Sequence, residues 1–493
     1  MVRAELIFVP SPGVGHLLST GEVAKLLARR DERISISILI MKLPYDSGIE
    51  ALTQNLKREA PERISFVDIP DLDEATRTEL MSLPRMSFFT SFIEHQRTPV
   101  KNIVKSILEG PDSGKLGGFV IDMFCTSMIE VANEFNVPAY VYFTSGAAFL
   151  SLMFYTQNLE ENENCREISE CKDTDADLPV PGFINPVPVK VLPSVFRTKE
   201  LSAFIVAIAR RLREAKAILV NTVWELEACA IKALADDVNA PLIHHVGPII
   251  NFTNAGAANN DKKSEEDIIS WLDCQPPLSV VFLCFGSMGS FSNEQVTEIA
   301  QALELSGQRF LWSLRRPSQE KEKMKLPTDY EDYSEVLPEG FLARTSGIGK
   351  VIGWAPQVTI LSHPSVGGFV SHCGWNSTLE SIWCGVPMAT WPLYSEQQIN
   401  AFQLVKELGI AVDLKMDYRK GNMLNNEPDP IVTAEEIERG IRCLMDGDSE
   451  VRSKMKEMKD QCRKATEEGG SSYTSIGQFL EAVIDTIQEG AST

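Results

Sequence analysis

One alternation occurs twice along this chain and restricts it to very few architectures. Short apolar runs at 6–10, 34–41, 64–69, 119–123 and 137–143 are separated by stretches of helical spacing, among them 17–29 and 126–135. Runs at 217–221 and 242–249 close the series. A second series occupies 280–285, 310–314, 351–352, 368–371 and 388–391. A strand that is apolar on both sides must be covered on both faces, and such strands joined by helices form parallel sheets. The chain therefore reads as α/β, with two doubly wound domains whose ligands belong at the carboxyl ends of the strands. Its 493 residues agree, because a single core rarely grows past about 250–300 residues.

Between the two series, residues 251–267 (NFTNAGAANNDKKSEED) offer almost nothing to bury and read as a linker. The expected division is then a first domain at 1–250, the linker at 251–267, a second domain at 268–473 and a terminal amphipathic helix at 474–493. Ser292 with Gln295, and Thr433 with Glu436, are spaced as helix-capping pairs.

The charge balance excludes two classes of partner. A net charge of -21 repels nucleic acid and anionic membrane surfaces. Any anionic ligand must then be held by local donors. No run approaches the ~20 apolar residues of a membrane span. The N-terminal run is short and broken by Pro10 and Pro12, which argues against a signal peptide. The ten cysteines are scattered, without CxxC pairs, as expected of buried thiols in a cytoplasmic protein.

Several positions carry possible chemistry. The first apolar run enters Pro10-Ser-Pro-Gly-Val-Gly-His16, and a helix comes next. His16 near a helix start is held away from protonation by the helix dipole, and a neutral imidazole is what a general base must be. The other reading is a solvated histidine beside an ordinary turn. The loop lacks the third glycine of a dinucleotide fingerprint, and no phosphate-binding GxxxxGK[ST] occurs. Asp122 ends an apolar run, so it is either a ligand-side acid or a helix cap. DxD triplets at 71–73, 173–175, 175–177 and 446–448 lie in polar stretches and are expected by chance among 68 acidic residues. No metal site is expected.

The densest segment is 354–397, WAPQVTILSHPSVGGFVSHCGWNSTLESIWCGVPMATWPLYSEQ. Ser371-His372-Cys373-Gly374 ends a strand, and Trp375-Asn376-Ser377 opens a helix, with Asn or Ser at the cap. Unbonded N–H groups at such a helix start suit a diphosphate. Trp354 offers a flat face for a base, Glu380 lies one turn further in, and Glu396 and Gln397 stand at another strand end.

This segment resembles the C-terminal signature box of plant secondary-product glycosyltransferases, in the UDP-dependent glycosyltransferase family 1. The likeness extends to PSPGVGH, to IDMFCTSMIEVANEFNVPAYVYFTSGAAFL and to WLDCQPPLSVVFLCFGSMGSF. It is nearest to the subgroup that glucosylates phenolics such as flavonoids, with some users of triterpenoids and lignans. The resemblance implies the GT-B fold, two Rossmann-like domains facing each other across a cleft, with the last helix packing back on the N-terminal domain. It implies that His16 takes the acceptor proton and that Asp122 pairs with it. Trp354 then stacks on uracil, whose edge bonds the Ala355 backbone. Gln357 and Glu380 hold the ribose. Ser287, His372, Asn376 and Ser377 hold the diphosphate. Thr144, Trp375, Glu396 and Gln397 hold the glucose. Loops around 86–95, 149–155 and 181–196 would line the acceptor side.

The reaction so implied is inverting transfer of glucose from UDP-glucose to a small hydrophobic hydroxylated acceptor, giving a β-glucoside. No cofactor or metal is required, and the protein is expected to act as a monomer. A GT-B nucleotide-sugar epimerase or hydrolase without an acceptor, a non-catalytic nucleotide-sugar binder and a dehydrogenase are the alternatives.

Overall fold

The computed structural model describes residues 3–44, 49–110, 114–161, 176–196, 198–252, 262–318, 327–420 and 428–489. Contacts divide the chain into two units. One comprises 1–147, 207–258 and 465–493, the other 148–206 and 259–464.

The first unit is built on seven strands: β1 (Ala4–Val9), β2 (Ile34–Ile40), β3 (Ile64–Asp68), β4 (Lys115–Asp122), β5 (Ala139–Phe143), β6 (Ala217–Val220) and β7 (Leu242–His245). They pair in the order β3-β2-β1-β4-β5-β6-β7, every pair parallel. The second unit carries β8 (Val280–Cys284), β9 (Arg309–Ser313), β10 (Gly349–Ile352), β11 (Val366–Ser371), β12 (Met388–Thr390) and β13 (Ala411–Asp413). Their order is β10-β9-β8-β11-β12-β13, again all parallel. Both are doubly wound sheets in which the strand order reverses beside the first strand. The central strands β1, β8 and β11 are buried along their whole length, as their mostly apolar sequences require, and the one acid among them, Glu5 of β1, is bonded by the Ser35 and Ser37 hydroxyls.

Register fixes what stands at each reversal. β1 and β4 pair Val9 with Ile121, so Pro10, just past β1, stands beside Asp122, the last residue of β4. β8 and β11 pair Cys284 with Ser371, so the stretches beginning at Phe285 and His372 do the same.

Among the helices that begin a few residues beyond strand ends are α1 (Val14–Arg30), α2 (Trp375–Cys384) and α3 (Gln397–Phe402). The helix α4 (Ser471–Glu489) lies over β4 and β7 in the first unit. Its Phe479 is fully buried, edge-on to Tyr140 at 5.0 Å and to His244 at 5.6 Å between ring centres. Arg33 pairs with Glu481 at 2.6 Å on the same helix.

Some elements differ from the sequence reading. The sixth strand of the second sheet, β13, went unread because three residues ending in an exposed aspartate carry no periodic signal. Residues 253–261 of the expected linker lie outside the described residues, but its last part belongs to a helix, Lys262–Asp273. Buried Ile268 and Leu272 anchor that helix, and the charged stretch forms its outer first turns. Contact grouping joins 148–206 to the second unit and 465–473 to the first, where the sequence reading drew continuous stretches. Two stretches expected as loops are helical, within Arg85–His95 and Ala147–Glu161, where buried Phe88, Phe92, Phe149 and Leu150 leave no break in the apolar pattern.

Truncating Phe479 to alanine should open a cavity under α4 and cost about 3–5 kcal/mol of stability. Urea unfolding of the variant should show an earlier transition, and an unshifted one would contradict this packing.

Candidate functional site

In the first unit the site begins with a turn and a helix. The chain leaves β1 through Pro10–Pro12, and α1 starts with Gly13 as its N-cap, so His16 falls in the first turn. Its Nδ1 stands 2.7 Å from Oδ2 of Asp122, at the end of β4. A carboxylate only accepts, so Nδ1 carries the hydrogen and donates it, and the ring lone pair lies on Nε2. Asp122 is fully buried at its side chain, whereas the His16 side chain is 30% exposed. The other carboxylate oxygen, Oδ1, accepts the Phe124 N–H at 3.0 Å. Asp122 is therefore not a helix cap. The N-cap of the next helix, Met128–Glu134, is Ser127, and one Asp122 oxygen holds its own turn while the other holds His16.

Thr144, just after β5, places its hydroxyl 3.4 Å from the His16 Nδ1. Two groups that the sequence reading passed over also frame this corner. Phe124 stands edge-on to the imidazole with centres 5.5 Å apart. The buried Tyr142 hydroxyl bonds Ser19 at 2.6 Å, tying β5 to α1 one turn beyond His16.

In the second unit the expected residues gather at the carboxyl ends of β8, β10, β11 and β12. His372 comes directly after β11 and is packed between glycines. A Cβ at Gly286 or Gly374 would meet its Nε2 at 2.5 or 2.6 Å, so only glycine permits that fit. Burial lowers the His372 pKa to about 4, so its ring is neutral at neutral pH. The next residue, Cys373, has a φ of +62°, a left-handed backbone on a side-chain-bearing residue. Gly374 is the N-cap of α2 and no side chain caps it, which corrects the expectation of Asn or Ser there. Asn376 and Ser287 are exposed, and Trp375 is buried.

A polar cluster links α2 to the turn after β10. Gln357 Nε2 donates to Ser377 Oγ at 2.8 Å and to Glu380 Oε2 at 2.6 Å. Burial lifts the Glu380 carboxyl to about 7, against the opposing pull of the Gln357 amide. Trp354 is half-buried and Ala355 buried in that turn, which Ser313 fastens by donating to the Gly353 carbonyl at 2.7 Å. Glu396 is the N-cap residue of α3 and Gln397 its first residue. The Gln397 Oε1 accepts from the Leu393 and Tyr394 N–H groups at 2.8 and 3.0 Å, and the same side chain bonds the Tyr394 hydroxyl, so the residue is tied to the turn before it. Thr144 belongs to the first unit, whereas Trp375, Glu396 and Gln397 belong to the second.

Of the DxD triplets, 173–175 lies outside the described residues, as does Asp175 of 175–177. Asp73 caps the helix Glu74–Met81 through the Thr76 N–H, and Asp446 accepts from the Asp448 N–H. Among the described residues, no three His, Cys, Asp or Glu side chains cluster to hold a metal. No described helix is long and apolar enough to cross a membrane.

Comparison with known proteins gives a consistent result. A family model described as UDP-glucoronosyl and UDP-glucosyl transferase matches residues 183–430. The chain is 52% identical to a UDP-glucose flavonoid 3-O-glucosyltransferase of Fragaria ananassa, over 97% of this chain and 98% of the relative. Its structure resembles that of a UGT transferase from Siraitia grosvenorii in complex with UDP, with a TM-score of 0.86, 44% identity and coverage of 98% and 100%. It also resembles Medicago truncatula UGT71G1 complexed with UDP-glucose, with a TM-score of 0.84, 42% identity and coverage of 98% of each chain.

The buried neutral imidazole has a consequence for stability. The unfolded chain takes up a proton at this histidine near pH 6.5, the folded chain only near 4. The His372 contribution is therefore complete above 6.5 and lost as pH falls towards 4. Relative to His372→Asn, the wild type should lose roughly 2 kcal/mol between pH 7 and pH 5. Denaturant unfolding of both proteins at the two pH values measures this, and a pH-independent difference would contradict it.

Proposed function

This chain belongs to the UDP-glucoronosyl and UDP-glucosyl transferase family, and on that premise we propose that it transfers glucose from UDP-glucose to a hydroxyl of a small hydrophobic phenol of the flavonoid kind. The observation that carries the mechanism is the 2.7 Å contact between His16 and Asp122. With Nδ1–H given to the carboxylate, Nε2 is the atom that takes the acceptor proton. The acceptor oxygen then attacks the anomeric carbon on the side opposite UDP, so an α-linked donor yields a β-glucoside. Once the imidazole is charged, the buried carboxylate steadies it, as the acid of a catalytic triad does. Such a base contributes roughly 10²–10⁴-fold.

The second unit supplies a reading of the donor. Trp354 stacks on uracil and the Ala355 backbone bonds its edge. The Gln357–Glu380 pair meets the ribose. The diphosphate lies at the start of α2, where backbone N–H groups and the helix dipole favour an anion, with Ser287, His372, Asn376 and Ser377 around it. Because the ring is neutral, His372 acts there as a hydrogen-bond donor rather than a cation. These donors meet the leaving charge, and no metal is needed in this scheme. Thr144, Trp375, Glu396 and Gln397 are assigned to the glucose. The Medicago structure with UDP-glucose supports the donor, and the Fragaria relative's name supports the acceptor class. We place the enzyme in the cytoplasm, where the buried thiols of Cys125, Cys284 and Cys373 remain reduced.

The test is a panel of flavonoids, triterpenoids and lignans incubated with UDP-glucose and EDTA, with products read by mass. Flavonoids should gain one hexose with EDTA present, while transfer only to the other classes, or loss restored by magnesium, would overturn the corresponding part of the reading. On the best acceptor, His16→Ala and Asp122→Asn should each lower kcat by roughly 10²–10⁴-fold. The double variant should lose little more, because coupled groups are not additive. Losses that multiply would contradict a shared role.

A further inference from the structure

The turn His372–Gly374 does not hold its shape unaided. Cys373 has a φ of +62°, where a residue with a Cβ is strained. Cys373 is fully buried, so its backbone groups need partners inside the protein. The N–H finds one on the preceding strand, donating to Ser371 Oγ at 3.1 Å. The carbonyl finds one elsewhere: Asn400 Nδ2 donates to it at 3.0 Å.

Asn400 sits on α3, only 2% exposed. It lies one turn beyond Gln397, whose oxygen is committed to the Leu393 and Tyr394 N–H groups. The Asn400 N–H itself bonds the Glu396 carbonyl at 3.1 Å. One buried amide thus joins two pieces of backbone. One is the strained turn whose neighbours are His372 and the start of α2. The other is the short helix that begins with Glu396 and Gln397.

Resting on the proposed transferase function, we infer that Asn400 is a positioning residue for the UDP-sugar. It touches neither ligand. It holds the turn that aims His372 and the first N–H groups of α2 at the diphosphate, in register with the helix carrying the glucose-facing side chains. Without its donor, the Cys373 carbonyl is left unpaired in the interior, and the residue has reason to leave the left-handed region. His372 moves with it, because it is the adjoining residue of the same turn and its buried imidazole lies in a space that a Cβ at Gly286 or Gly374 would already fill.

The test uses UDP binding to the full chain, measured by calorimetry, with acceptor KM as the contrasting readout. Asn400→Ala should weaken UDP binding roughly 10- to 100-fold, the range expected when a buried polar group loses its partner. Acceptor KM at saturating UDP-glucose should change much less. Glycine adopts positive φ without strain, so Cys373→Gly added to Asn400→Ala should restore most of the UDP affinity. If the alanine variant does not fold, Asn400→Asp keeps the volume, removes the amide donor and should show the same loss. UDP affinity within twofold of wild type in a folded Asn400 variant would overturn the inference and leave the transferase reading standing. So would a loss that the glycine does not repair. A wild-type chain that does not bind UDP would overturn both.

Discussion

Every strand of each main sheet runs the same way, and that constraint governs where chemistry can sit. Parallel neighbours cannot be joined by a tight turn, so each strand must hand over to a crossover at its carboxyl end. Polar residues then collect along one edge of the sheet. Where the strand order reverses, successive crossovers leave in opposite directions and open a crevice. This happens between β1 and β4, and again between β8 and β11. The first reversal holds His16 and Asp122, the second His372 and the glycine-lined turn.

The two crevices solve different electrostatic problems. At the first, a buried carboxylate is tied to Nδ1 of a partly exposed imidazole and fixes how the ring is turned. At the second, in the proposed scheme, an anion is received by a chain whose net charge is -21. The groups gathered there are backbone N–H groups, a neutral imidazole and amides. On the proposed reading this is recognition by preorganised dipoles, and the fold carries the strain: a left-handed Cys373, two glycines against a ring, and a buried Asn400 bonded to the turn.

Much of this was legible in the sequence, for a definite reason. Strands buried on both faces write continuous apolar runs, so β1, β2, β4, β5, β8, β9 and β11 could be placed to within a few residues. The residues after those runs announce the ligand edge, and the 354–397 segment does so with unusual density. Three-residue β13 left no periodic signal. The charged tail of the expected linker proved to be the outer face of a helix anchored by Ile268 and Leu272. Asn400, Phe124 and the Ser19–Tyr142 bond could not be read at all, because their partners lie 27, 108 and 123 positions away along the chain (400 minus 373, 124 minus 16, 142 minus 19). Asp122 was legible as one of two roles, and its two oxygens turn out to do two jobs, fixing its own turn and orienting His16.

The central claim is that His16, oriented by Asp122, removes the acceptor proton. Its most direct test is a series of phenols of graded acidity, assayed with UDP-glucose in the wild type and in His16→Ala. An ordinary phenol with a pKa of about 10 is almost wholly protonated at neutral pH and depends on a base. A strongly acidified phenol is already ionised and does not. His16→Ala should lose much of its kcat/KM for ordinary phenols, and the loss should shrink steadily towards zero as acceptor acidity rises. A loss of the same size for every phenol, ionised or not, would contradict a base at His16.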